Sequence, residues 1–135
     1  MIHKNIGIYE NGITSTFVVQ EATHRMMMLE AAQVLAGIQR RDLVKYLKSH
    51  PELVKELPAH RSIPDKVSSF NLKIVSPDIT TLARSQEIKK EYGLLSNDAL
   101  LVYIMKDTGL TNLASNDSDF ERLDFIRLYR PTPNS

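Results

Sequence analysis

Apolar residues along the chain recur at two spacings, alternate positions in short runs and every third or fourth position in longer ones, which predicts strands and helices in succession. Asn11-Gly12 signals a turn, Ile13-Thr14-Ser15 a brief strand, and Ser15 or Thr16 the cap of the helix that follows. In that helix Val18, Val19, Ala22, Met26 and Leu29 are expected to form one broad apolar face, with Glu21 at its edge. Ala31, Ala32, Leu35 and Ile38, then Leu43, Val44 and Leu47, continue a helical but irregular region up to Phe70. His50-Pro51 interrupts it, Glu52 to Leu57 resumes it, and Pro58 and Pro64 frame an expected loop. Met26-Met27-Met28 cannot all face one core, so the run is expected to be divided between core and surface, where it offers a partner surface.

Leu72 to Val75 predicts another strand, and Ser76-Pro77-Asp78 supplies a cap, an N1 proline and an acid at the next helix start, with Asp78 read as a capping residue. Ile79, Leu82 and Ala83 begin the apolar stripe of that helix, and Gly93 ends it. Ser96, Asn97 and Asp98 open the apolar run Ala99 to Met105, which reads as a helix with Ser96 as N-cap. On it Asp98, Leu101, Val102 and Met105 are spaced i, i+3, i+4, i+7, so a carboxylate heads an otherwise apolar face. Gly109 closes the helix, Leu110 to Ala114 reads as a short strand, Ser115 to Phe120 turns into a short helix, and Phe125 to Leu128 is the last strand. Ile6 and Ile8 alternate weakly near the start. Strands alternating with helices predict a three-layer α/β/α domain with a mostly parallel sheet, in which ligands gather beyond the carboxyl ends of the strands.

Composition narrows the class. With 135 residues, 42% apolar and 24% charged, the chain suits one ordinary domain with a real core. It has no cysteine, hence no disulfide or thiolate metal site. Its longest apolar run is the seven residues Ala99 to Met105, so neither secretion nor membrane spanning is expected, and a cytoplasmic location is. A net charge of +1 makes no global case for nucleic acid, although Arg40-Arg41 with Lys45 and Lys48, Lys89-Lys90, and Arg122 with Arg127 and Arg130 form local basic groups.

The candidate chemistry is acidic. A carboxylate on a buried helix face is costly unless paired, hydrogen-bonded or bound to a cation, which sets Asp98 apart from an ordinary first-turn acid. Asp117 and Asp119 lie just past a strand's end, where they also make good turn and capping residues. Glu21, taken alone, reads equally as an exposed helix residue; with His24 it forms Glu-x-x-His, but a di-iron bundle needs a second copy and none is present. His3, His50 and His60 lack zinc-like spacing and are expected at the surface or in loops.

Gly93 to Leu100, Leu113 to Phe120 and Leu128 to Pro131 together resemble the last third of a PIN domain, a family best known for metal-dependent ribonucleases that include VapC-like toxins. The resemblance makes Asp98, which opens Asp-Ala-Leu, the third acidic ligand. It makes Asp117 of Ser-Asn-Asp-Ser-Asp-Phe the fourth, supported by Ser115 and Asp119. The looser likeness of Thr14 to Glu21 to the second motif makes Glu21 the second ligand. It implies one PIN-like domain over residues 1–135, with the second motif in 12–29, a variable helical region in 30–70 and the C-terminal α/β part in 71–131. It further implies Mg²⁺ or Mn²⁺, an RNA substrate, an antitoxin partner and a homodimer. No Asp precedes Glu21, so a first strand-helix unit of roughly 20 to 30 residues, bearing the first catalytic Asp, is expected to be absent. Residues 1–135 are therefore expected to bind metal and to cleave weakly or not at all. The alternative is a non-catalytic PIN-like module that binds RNA or protein.

Overall fold

The computed structural model describes residues 12–130; Ile6, Ile8 and His3 lie outside them. The chain divides into two compact units, one of residues 14–74 and one to which 12–13 and 75–130 belong. The division runs through strands β1 (Gly12–Ser15) and β2 (Leu72–Val75), which pair in a two-stranded sheet.

In the first unit, extended backbone at Ser15 and its Oγ, which accepts the Val18 N–H at 3.3 Å, start α1 (Thr16–Val34). Three short helices follow, α2 (Leu43–Ser49), α3 (Pro51–Lys55) and α4 (Ile63–Ser68). The core is Ala31, Leu43, Leu47 and Leu57, with Met27, Met28, Ala32 and Leu35 packed around it. The inner face of α1 is thus rotated from the expected one: Ala22 and Leu29 are exposed, because the short helices pack on the Met27, Met28 and Ala31 side. Val44, expected to continue the apolar pattern, is exposed as well.

Two further expectations fail in this unit for one reason. The stretch between Pro58 and Pro64 is no open loop but a 3₁₀ turn, Ala59–Ser62, leading into α4, whose first turn accepts Pro64 because that N–H has no helical partner to lose. His60, expected at the surface or in a loop, lies in that turn but is buried. Glu30 on α1 explains both: its carboxylate accepts the Ala59 N–H at 2.8 Å, the His60 N–H at 2.8 Å and the His60 ring Nδ1–H at 2.9 Å. His50 is half-buried, its Nδ1–H donated to the Tyr46 carbonyl and its ring stacked on Tyr46.

The second unit is built on a pair of helices packed on each other. Asp78 caps α5 (Ile79–Tyr92), accepting the Thr81 N–H at 2.9 Å and hydroxyl at 3.0 Å, and these bonds hold its carboxyl below the usual carboxylate range. Pro77 accordingly precedes the helix instead of occupying N1, and Ser76 is not its cap. The stripe expected of Ile79, Leu82 and Ala83 faces outward, Ile79 being 77% exposed. The inner face carries buried Ser85 and Ile88 with half-buried Thr81 and Tyr92, and the small Ser85, whose hydroxyl donates to the Leu82 carbonyl, suits close helix packing.

Gly93, at φ 69°, stops α5, and α6 (Ser96–Thr108) begins after two intervening residues. Its N-cap is Leu95 by backbone conformation, φ −76° and ψ 169°, so Ser96 is the first helical residue and not the cap; its hydroxyl accepts from Lys89 Nζ instead. Gly109, at φ 74°, closes α6 as expected. Strands β3 (Asn112–Ala114) and β4 (Arg127–Tyr129) pair in parallel, Leu113 opposite Leu128. The last strand starts two residues later than expected because Ile126 is drawn into the core with Ala99, Val102, Met105, Leu113, Phe120 and Leu123. The class is α/β, with helices dominant and, among the described residues, strands in two pairs instead of one continuous sheet.

Candidate metal centre

Asp98 is the third residue of α6, half-buried in its first turn, where the helix's unpaired N–H groups favour negative charge. Past the carboxyl end of β3, Ser115 Oγ accepts the Asp117 N–H at 3.0 Å, and Asp117 Oδ1 accepts the Asp119 N–H at 2.9 Å. Asp117 thereby caps the 3₁₀ turn Ser118–Arg122. Both carboxylates are exposed. The turn is anchored from below by Phe120, its only buried residue.

These elements bring one carboxylate oxygen from each of Asp98, Asp117 and Asp119 within 4.8 Å of one another. Like charges that close repel by about 1 kcal/mol per pair in water and about 3–4 kcal/mol at an effective dielectric of 20. A cation offsets that repulsion. The donors are all hard oxygens, and among the described residues no Lys, Arg or His forms an ion pair with Asp117 or Asp119. Such a set fits Mg²⁺ or Mn²⁺, which take a few carboxylates and keep several waters.

Glu21 belongs to the other unit, on α1, where it is exposed and pairs with Arg25 one turn on at 3.3 Å. One contributor escaped the sequence reading. Arg130, there one of several basic residues and part of the Leu128 to Pro131 likeness but given no role in the site, donates Nη1–H to the Asn116 carbonyl at 2.8 Å and Nη2–H to the Glu121 carboxylate, so it grips the loop on either side of Asp117 and Asp119. No local spacing signals this, since Arg130 is brought there by the parallel pairing of β4 with β3.

Comparison with known proteins places the chain. Ribonuclease VapC6 of Methanocaldococcus jannaschii is 37% identical over 90 residues, covering 66% of this chain and 57% of that protein. Ribonuclease VapC2 of the same organism is 34% identical over 82 residues, covering 61% and 53%. The chain spans about half the length of the curated relatives it matches. No solved structure matches. The sequence pattern of the PIN domain matches residues 2–126, beginning ahead of the Gly12 from which the likeness was read in the motifs. With nearly its whole length inside that match, the chain belongs to the PIN domain family.

Proposed function

We propose that this chain is a metal-dependent endoribonuclease of the VapC-like PIN type, with Asp98, Asp117 and Glu21 as ligands of Mg²⁺ or Mn²⁺ and Ser115 and Asp119 supporting them. The observation that carries this reading is the gathering of the Asp98, Asp117 and Asp119 carboxylates at the head of α6 and the end of β3 in a member of this family. When bound, the divalent cation supplies the positive charge that activates a water and stabilises the leaving oxygen of a phosphodiester. The protein's own contribution is positional. Asp98 is held on the first turn of a helix whose buried face fixes its rotation, and Ser115 fixes the backbone from which Asp117 projects. Asp119, through its N–H, sets the orientation of the Asp117 carboxylate.

In this reading residues 1–135 form one PIN-like domain that works on RNA in the cytoplasm, is restrained by a cognate antitoxin protein and pairs with a second copy. Among the described residues no helix is long and apolar enough to cross a membrane.

Thermal melting with increasing Mn²⁺ at constant ionic strength tests the centre. A cation bound only by the native state stabilises it by about 1.4 kcal/mol at ten times its dissociation constant. Asp98→Asn and Asp117→Asn are each expected to abolish that rise. A wild-type melting temperature indifferent to Mn²⁺ at 10 mM or so removes the basis for the metal reading. Cleavage of single-stranded RNA that requires Mn²⁺, stops with chelator and is lost in Asp98→Asn supports the nuclease. Mn²⁺ and RNA binding without cleavage favours the binding module.

A further inference from the structure

The loop joining β3 to β4 carries two of the three clustered acids, and little apolar burial holds its first half. Asn116, Asp117, Ser118 and Asp119 are all exposed, and the first core residue after them is Phe120. What fixes Asn116 to Asp119 is therefore polar contact. Two such contacts come from the end of β4. The Tyr129 carbonyl accepts the Ser115 N–H at 3.0 Å, and the Arg130 guanidinium joins the Asn116 carbonyl to the Glu121 carboxylate. Parallel pairing of Ala114 with Tyr129 makes this arrangement obligatory in register: the residue after β4 emerges beside the residues after β3. Asn116 immediately precedes Asp117 and Glu121 follows Asp119 by two, so one planar fork closes across the acid-bearing segment.

We propose that Arg130 is a positioning residue of the acid centre, holding the loop so that Asp117 and Asp119 face Asp98. The proposal rests on the metal reading given above. As a surface ion pair, with side chains 39% and 57% exposed, Arg130 and Glu121 contribute little to global stability. Their effect is local, and its sign separates it from a simple charge effect. A cation beside a cation site weakens metal binding, so removing Arg130 tightens Mn²⁺ binding if charge is all it supplies. Removing a clamp loosens it.

The test uses the full chain with Arg130→Ala, Arg130→Lys and Glu121→Gln, and reads two quantities. These are Mn²⁺ affinity by isothermal titration and exchange of the Asp119 amide, whose bond to Asp117 reports the loop's order. Arg130→Ala is expected to weaken Mn²⁺ roughly tenfold and to speed Asp119 exchange, with the melting temperature nearly unchanged. Arg130→Lys, keeping the charge without the fork, is expected to weaken binding less than Ala does, and Glu121→Gln least. Mn²⁺ binding that is unchanged or tighter in Arg130→Ala overturns the proposal, as does unaltered Asp119 exchange. If wild type itself binds no Mn²⁺, the metal reading fails on its own account, and Asp119 exchange alone then decides whether Arg130 holds the loop. Should Arg130→Ala not fold, the same two readings on Arg130→Lys decide.

Discussion

Phe120→Ala is expected to remove about 3–5 kcal/mol of folding stability, a large share of the roughly 5–15 kcal/mol of a typical domain. The ring is 3% exposed and shares a core with Leu113, Leu123, Ile126, Val102 and Met105, so its truncation opens a cavity between the parallel strand pair and α6. It is also the one buried residue of the turn that follows Asp117 and Asp119. Loss of stability and loss of cation binding should therefore appear together. Phe120→Leu, which keeps most of the volume, should cost about 1 kcal/mol and retain the acid cluster. Urea denaturation, with amide exchange at Val102 and Leu113, checks both. A Phe120→Ala protein within 1 kcal/mol or so of wild type would mean that the ring is not packed as described.

The second large effect is expected at Glu30. Its carboxylate serves three donors, the N–H groups of Ala59 and His60 and the His60 ring, across thirty residues of chain. Desolvation raises the pKa of this group, but the hydrogen bonds from Ala59 and His60, with the charge on His60, together outweigh it and leave it below its ordinary 4.5. A carboxylate depressed in the folded state adds stability that is fully present above the unfolded value and disappears as pH falls through the folded one. Glu30→Gln turns an amide donor toward one of these donors, and Glu30→Ala leaves all three without their acceptor. Both should lower the melting temperature at pH 7, on the order of 5–10 °C for Ala. Both should also flatten the decline of stability below pH 4.5. Parallel melting curves of wild type and Glu30→Gln between pH 7 and 3 would exclude this role.

What could be read from the sequence was mostly local. Ser15, Asp78, Gly93 and Gly109 mark helix ends through short-range chemistry, a side chain bonding three residues on or a backbone that turns left-handed, and each does so in the structure. Asp98 and Asp117 were legible because a helix start and a strand end each carry a compact motif. The misreadings arose where a distant partner decides. Periodicity gave α5 an apolar stripe at Ile79 and Leu82, but the helix turns Ser85 and Ile88 inward, a choice made by the shape of α6 and invisible in the spacing. His60 lacks any local sign of burial because Glu30 supplies it from α1. Ser96 looked like a cap, yet the cap is decided by where the backbone leaves the extended region, and that residue is Leu95. The proposal of Glu21 as a ligand rests on its motif alone, since the clustered acids are Asp98, Asp117 and Asp119.

The brief link between α5 and α6 bears on how the protein comes together in time. Only Leu94 and Leu95 separate Gly93 from the first turn of α6, so these two helices can zip up from neighbouring segments, the fastest kind of assembly. The β3–β4 pairing closes a longer detour and belongs to a later stage. Asp98 thus rides on the early element and Asp117 on the late one. A divalent ion should consequently slow unfolding while leaving the refolding rate unmoved, which stopped-flow traces with and without Mn²⁺ would record.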